Sequence, residues 1–300
     1  MADTLPATTP TDRVPIGVTQ ARPPRRARLW WRIVVLAIGA VAFLFPFYYM
    51  IIGSLQERTD TSLKGALPLP GNLGLHNYSQ INAAINLGQT LLNSIIFTAG
   101  VVLGTVVFGI LAGYALAQLQ FRGRGLLFAA MLLIQVVPFQ LLMIPLYVQI
   151  VRAYGLADSY LGMILPYLIN SVAVFVFRQY FLQLPPDLFN SARIDGASEL
   201  RILWSVALPL VRPAVLTATL LTFIGPWNEF LWPFLVTKDH AKQPLAVALA
   251  NYISTVAATA TNPYGAILAG ACVLAAPAIA LFIAFQRHFV STDLSSGVKG

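Results

Sequence analysis

Long apolar runs separated by short polar stretches set the pattern of this chain. The first run, Ile33 to Ile52, holds 20 residues and no charge. About 20 residues at 1.5 Å each cross the hydrocarbon core of a bilayer. Five more runs lie near 91–117, 126–150, 160–177, 213–236 and 263–285. Backbone in hydrocarbon must satisfy its own hydrogen bonds, and runs of this length exceed a barrel strand, so each predicts a helix. The first run is too long for the apolar region of a secretory signal, and no A-x-A site follows it, so it is expected to stay attached. The third run contains Pro138 and Pro145, whose freed carbonyls neighbouring helices and water can satisfy. Gly100, Gly104, Gly109 and Gly113 in the second run let another helix approach closely. Ordinary packing and a gating role both accommodate them.

The polar stretches give the expected organisation. Residues 1–28, rich in Pro, Thr and Arg, form a mobile cytoplasmic tail. Residues 29–290 form one six-helix transmembrane domain, and 291–300 a cytoplasmic C-terminal tail. Pro68, Pro70, Gly71 and Gly74 mark turns between the first two spans. The segment 237–262 reads as an outer segment with an apolar patch, Leu245–Leu249, and predicts no definite element.

Composition agrees. Hydrophobic residues make up 57% and charged residues 10%, against about 25% charged in soluble domains. The surplus apolar surface must face lipid. The net charge is +8, but the basic residues collect at the ends of apolar runs. That distribution points to topology and anionic headgroups, not to nucleic acid. Six spans leave both termini on one side. Placing them in the cytoplasm puts 14 of the 19 Lys and Arg residues inside, with Arg58, Lys64, Arg152, Lys238 and Lys242 outside, as the positive-inside rule requires. The single cysteine, Cys272, sits in an apolar run and reads as a small buried hydrophobe.

No H-E-x-x-H, G-x-S-x-G or Walker A loop occurs, and His76, His240 and His288 lie far apart, so no catalytic or metal-ligating set is expected. Intramembrane enzymes lack support here, since no nucleophile–base pair is visible. An ion-coupled transporter is expected to carry ionisable groups near mid-bilayer, yet only Glu229 falls inside a predicted span. Counted from Pro213 it sits about 24 Å along the helix, near the outer interface. With Trp227 and Asn228 before it and Trp232 after, it reads either as part of a solute path or as an interfacial anchor in an aromatic belt.

The stretch 187–213 carries the most information. Asp187 follows two prolines and is expected to cap a short helix ending near Ile194. Asp195-Gly196 then allows a left-handed turn, and Ser198 is placed to cap a second short helix. Pro209 and Pro213 redirect the chain into the fifth span. The product is a compact cytoplasmic knob, or else a plain connector.

Ala192, Asp195, Gly196 and Ala197, followed by Leu208-Pro209, resemble the EAA loop of ABC importer permeases. Gly113-Tyr-Ala-Leu-Ala-Gln, Phe121-Arg-Gly-Arg, Gly155-Leu, Leu165-Pro-Tyr, Trp227-Asn-Glu-Phe and Ser296-Gly-Val-Lys-Gly resemble the maltose-type carbohydrate branch of that family, on its maltose-G-like side. The resemblance implies that the loop is a coupling helix seated in a groove of an ATPase subunit. It implies a second permease subunit, two ATP-binding subunits that carry the ATP and Mg, an extracytoplasmic solute-binding protein, and import of a sugar by alternating access across a bacterial-type inner membrane. This chain itself is expected to bind no cofactor. An ABC importer of another solute class shares the same loop. One departure stands out: Asn190 and Ser191 occupy the motif's glutamate and first alanine, and asparagine carries no charge. Docking is therefore expected to rest more on Arg193, Glu199 and Arg201.

Overall fold

The computed structural model describes residues 26–68, 70–257 and 263–296. Most of the N-terminal tail and the last four residues of the chain fall outside these. The chain divides into two compact units, 1–47 and 48–300. The first unit carries most of helix α1 (Arg26–Leu55), which is apolar on every face around its internal Pro46, as befits a helix solvated by lipid.

Among the described residues, the regular structure of the second unit is helical, with one isolated bridge between Gln56 and Leu73. A short helix, α2 (His76–Ile85), leads through left-handed Asn86 into α3 (Leu87–Gln118), the longest element of the bundle interior. Asn86 caps α3 by accepting from the Gln89 amide at 3.3 Å. Then follow α4 (Arg124–Ile134), α5 (Phe139–Tyr147), α6 (Tyr160–Ile164) and α7 (Ser171–Leu182). The connection after α7 contains α8 (Pro186–Ile194), α9 (Glu199–Ile202) and α10 (Leu208–Leu210). The chain ends with α11 (Arg212–Asn228), α12 (Leu231–Val236), α13 (Leu245–Asn251) and α14 (Pro263–Ser296).

Among the described residues three helices are long and apolar enough to cross a membrane alone, and the number rises to six if each bent pair is one crossing. The third predicted span is not a single rod. It bends by 95° between α4 and the α5 segment ending at Ala153, because Pro138 lacks an amide and pushes the residue before it out of helical space. The fourth bends by 51° before α7, where the Asn170 carboxamide accepts from the Val172 and Ala173 amides at 2.9 and 3.2 Å. The α9–α10 segment meets α11 at 82°. The fifth span is also interrupted: Glu229 is extended, and α12 restarts at Leu231.

The α3 glycines act as expected in packing. A β-carbon at Gly100 would run into Ile164, and one at Gly104 into Leu168. One at Gly109 would lie 3.1 Å from the Ala173 β-carbon, and one at Gly113 2.7 Å from that of Phe177. The α6–α7 pair therefore lies directly on the glycine face of α3, and small residues make that approach possible. The apolar patch in 237–262 is an element in its own right: α13 buries Leu245, Val247, Ala248 and Leu249.

Candidate functional site

The segment between α7 and α11 folds into a protruding knob. α8 begins at Pro186, whose fixed φ suits the first helical position. The helix therefore starts two residues earlier than a cap at Asp187 implies, and Asp187 lies in the first turn and makes no cap. α8 ends in a Schellman turn: the Ala197 amide donates to the Ala192 carbonyl and the Gly196 amide to the Arg193 carbonyl, both at 3.0 Å. Gly196 has φ of +78°, which glycine adopts at no steric cost. A β-carbon there would meet nothing within 4 Å, so backbone conformation alone demands the glycine. Ser198 caps α9, its hydroxyl accepting from the Arg201 amide at 3.4 Å.

Apolar packing seats the knob. Phe189 is buried and joins a cluster with Tyr114, Phe177, Phe181, Ile202 and Leu203. Ala192, Ala197 and Leu208 lean on the same cluster. Asn190, Ser191, Asp195, Gly196, Arg201 and Pro209 face outward. So does Ile194, 86% exposed at the tip.

Two charged residues that sequence placed at the docking face are turned toward each other. The Arg193 guanidinium donates to both carboxylate oxygens of Glu199, at 2.7 and 3.3 Å. Their side chains are 35% and 40% exposed. The buried Tyr114 hydroxyl of α3 donates to Glu199 Oε2 at 2.6 Å. Hydrogen bonding from Arg193 holds the Glu199 carboxyl below its ordinary range, against some burial and helped by Tyr114. Tyr114 belongs to the Gly113-Tyr-Ala-Leu-Ala-Gln stretch, whose sequence gave no hint of this partner. Gln118 of the same stretch donates to the Phe181 carbonyl at 2.7 Å, tying the same end of α3 to α7.

The residues around the break in the fifth crossing diverge. Trp227 is buried, stacks on Phe223, and donates from its indole to the Leu274 carbonyl of α14 at 2.9 Å. The exposed Asn228 donates to the Ile224 carbonyl of its own helix at 3.0 Å. Glu229 caps α12, one oxygen accepting from the Leu231 and Trp232 amides at 3.0 and 3.3 Å.

The opposite end of α3 carries a second polar assembly, unforeseen from sequence. Asn93 is 0% exposed. It donates to the Ala241 and Gln243 carbonyls, both at 2.9 Å, and accepts from Tyr160 at 2.7 Å and Gln89 at 2.9 Å. Beside it, the Asp158 carboxylate accepts from the Lys238 and Asp239 amides at 2.6 and 2.7 Å. The Asp239 amide, followed by that of Lys238, holds this carboxyl below its ordinary range despite partial burial.

A protruding two-helix knob with a Schellman turn, carried by a bundle of broken apolar crossings, invites comparison with known transport proteins. The family model described as binding-protein-dependent transport system inner membrane component matches residues 105–291. The chain belongs to that family. The permease is 34% identical over 274 residues to the arabinooligosaccharides transport system permease protein AraQ of Halalkalibacterium halodurans, covering 90% of this chain and 96% of that one. It is 34% identical over 278 residues to the trehalose transport system permease protein SugB of Mycobacterium tuberculosis, covering 92% and 99%. It is 30% identical over 263 residues to the sn-glycerol-3-phosphate transport system permease protein UgpE of Yersinia pestis, covering 86% and 92%. In structure it resembles a chain of a bacterial ABC transporter involved in the import of the acidic polysaccharide alginate, with a TM-score of 0.76 at 24% identity, covering 90% of this permease and all of that chain. At that identity the likeness speaks for the fold. The permease is thus an all-helical membrane component of a transport system.

Proposed function

We propose that this permease is one of two membrane subunits of an ATP-driven importer for a sugar or oligosaccharide, working by alternating access, with both termini in the cytoplasm. A second permease subunit completes the path, an extracytoplasmic binding protein delivers the solute, and two ATP-binding subunits hold the ATP and Mg. The knob is the coupling element. The observation that carries this is an exposed tip (Ile194, Asp195, Gly196) on a base buried against α3 and α7. Such an element can grip a partner outside while passing force to the bundle. Asn190, Ala192, Arg193, Ala197, Glu199, Arg201 and Pro209 shape it. The carbohydrate class is supported by relatives whose names specify arabinooligosaccharides and trehalose. Asn228, exposed at the break in the fifth crossing, is the polar candidate on the solute path in this reading, with Trp227 and Glu229 holding that break in shape.

Gly196→Val tests the coupling role. A β-branched residue resists positive φ, so the turn reorganises and uptake falls to background while the bundle still assembles. Normal uptake by this variant would end the proposal. Cross-linking from Ile194→Cys should capture an ATP-binding subunit. A second reading, import of a phosphorylated polyol, has support from the sn-glycerol-3-phosphate relative. Competition for uptake between trehalose or arabinotriose and sn-glycerol 3-phosphate separates the two.

A further inference from the structure

A cavity of about 890 Å³ opens at the end of α3 remote from the knob. That volume lies within the range of roughly 300–1,000 Å³ typical of small-molecule sites. Its wall is assembled from three distant parts of the chain: the α2–α3 junction, the start of α6, and the segment running from His240 into the turn after α13. Asn93 stands behind the wall and fixes all three, since its four hydrogen bonds reach Gln89, Tyr160, and the carbonyls of Ala241 and Gln243. A fully satisfied buried amide of this kind holds the lining side chains in place before any ligand arrives.

The lining has a definite chemistry. It presents the rings of Tyr160 and Tyr252 and the carboxamides of Asn86, Gln89 and Asn251. Carboxamides offer a donor and an acceptor side by side, which suits adjacent hydroxyl groups, and aromatic rings suit the C–H face of a sugar. Among the described residues no carboxylate lines the cavity, and the charged group that does is Lys242, with its ammonium 2.8 Å from the Asp158 carbonyl oxygen. A cationic solute finds no opposite charge among these residues and meets the Lys242 ammonium instead. Tyr252 adds an independent sign: its hydroxyl is buried without a hydrogen-bond partner among the described residues. Buried polar groups are normally paired, and an orphan calls for an explanation such as an unbound partner.

We infer that this cavity is a solute-binding site for a neutral, hydroxyl-rich molecule of the carbohydrate class, with Asn93 as its positioning residue and Tyr252, Gln89 and Asn251 as its contacts. The assignment rests on the carbohydrate reading above, and adds that this subunit itself touches the solute.

The test uses the assembled importer in native membranes, with Cys272→Ala as background and Thr255→Cys, at an exposed lining position, as reporter. Labelling by a membrane-impermeant maleimide is timed with trehalose, arabinotriose, sn-glycerol 3-phosphate or arginine present. At saturation a neutral saccharide should slow labelling at least tenfold, and arginine should leave it unchanged. Tyr252→Phe should weaken half-protection about five- to tenfold, the scale of one lost hydrogen bond. It should not alter labelling without solute, because the hydroxyl has no partner to lose among the described residues. Should that variant fail to assemble, Ala84→Trp, also at an exposed lining position, should fill the cavity and abolish protection. Absence of protection by every saccharide, or equal protection by arginine, or an unchanged affinity in Tyr252→Phe, overturns the assignment. If labelled saccharide is still taken up in that case, only the cavity is lost. If no saccharide is taken up at all, the carbohydrate reading falls with it.

Discussion

At the Leu87 end of α3, Asn93 is fully enclosed and spends both donors and both acceptor positions on Gln89 of its own helix and on two distant segments. At the Gln118 end, Tyr114 reaches one carboxylate, and that carboxylate is 40% exposed and shared with Arg193. The same helix thus holds one neighbourhood through buried, neutral, fully paired amide bonds and the other through an apolar cluster edged by one charge-assisted contact at the water's edge. Buried pairings are costly to leave unmade, whereas an exposed ion pair contributes about 0–1 kcal/mol. The polar contacts at the Asn93 end are therefore costly to break, whereas the exposed polar contact at the knob end can be exchanged at little cost while the apolar base stays packed. In the proposed reading, that asymmetry suits a subunit that docks on an ATP-binding partner at one end and presents a formed cavity at the other.

The largest break in this comparison is expected from Asn93→Leu. It leaves two carbonyls and the Tyr160 hydroxyl without their partner, each orphan costing about 1–3 kcal/mol. The variant should melt well below the parent in detergent. A melting temperature within a degree of the parent would remove Asn93 from its role. Next comes Tyr114→Phe, which deletes one buried link to Glu199 and should cost about 1–2 kcal/mol. Its signature is looser coupling, read as more ATP consumed per solute imported. An unchanged ratio would mean that the apolar cluster alone seats the knob. Glu229→Leu removes the α12 cap at about 1 kcal/mol, and faster hydrogen exchange at the Leu231 and Trp232 amides would report it. Glu229→Gln, which keeps an acceptor oxygen, should change exchange far less.

The smallest effect concerns pH. Glu199 is held below its ordinary value of 4.5, so the charged form is favoured in the fold. Its contribution is fully present above that value and is lost as pH falls through the lowered pKa. Exchange of the knob amides should be insensitive to this group between pH 8 and 5 and rise only under more acid conditions. A transition centred near neutrality would show that another group controls the knob.

Much of the knob was legible from the chain. Asp195-Gly196 announced a left-handed turn because only glycine adopts it freely, and Ser198 announced a cap because its hydroxyl can serve a free amide at the helix start. The α3 glycines announced a close helix approach. Asp187 misled, since Pro186 can itself open a helix. Pro138 was visible, but its 95° bend was not, because a freed carbonyl permits a bend whose angle neighbouring helices choose. Nothing marked Asn93 or Tyr114 as special, since Gln89 aside their side-chain hydrogen-bond partners lie between 67 and 150 residues away.

By itself, then, the sequence determined the solvent, the helices and the turn that makes the knob, because hydrophobic run length, proline and glycine act locally. The tertiary structure alone decided which way Glu199 and Arg193 turn, where each crossing breaks, and that an amide, two tyrosines and a distant loop enclose one cavity. Those outcomes depend on hydrogen bonds between segments far apart in the chain, and such partners meet only once the helices have packed.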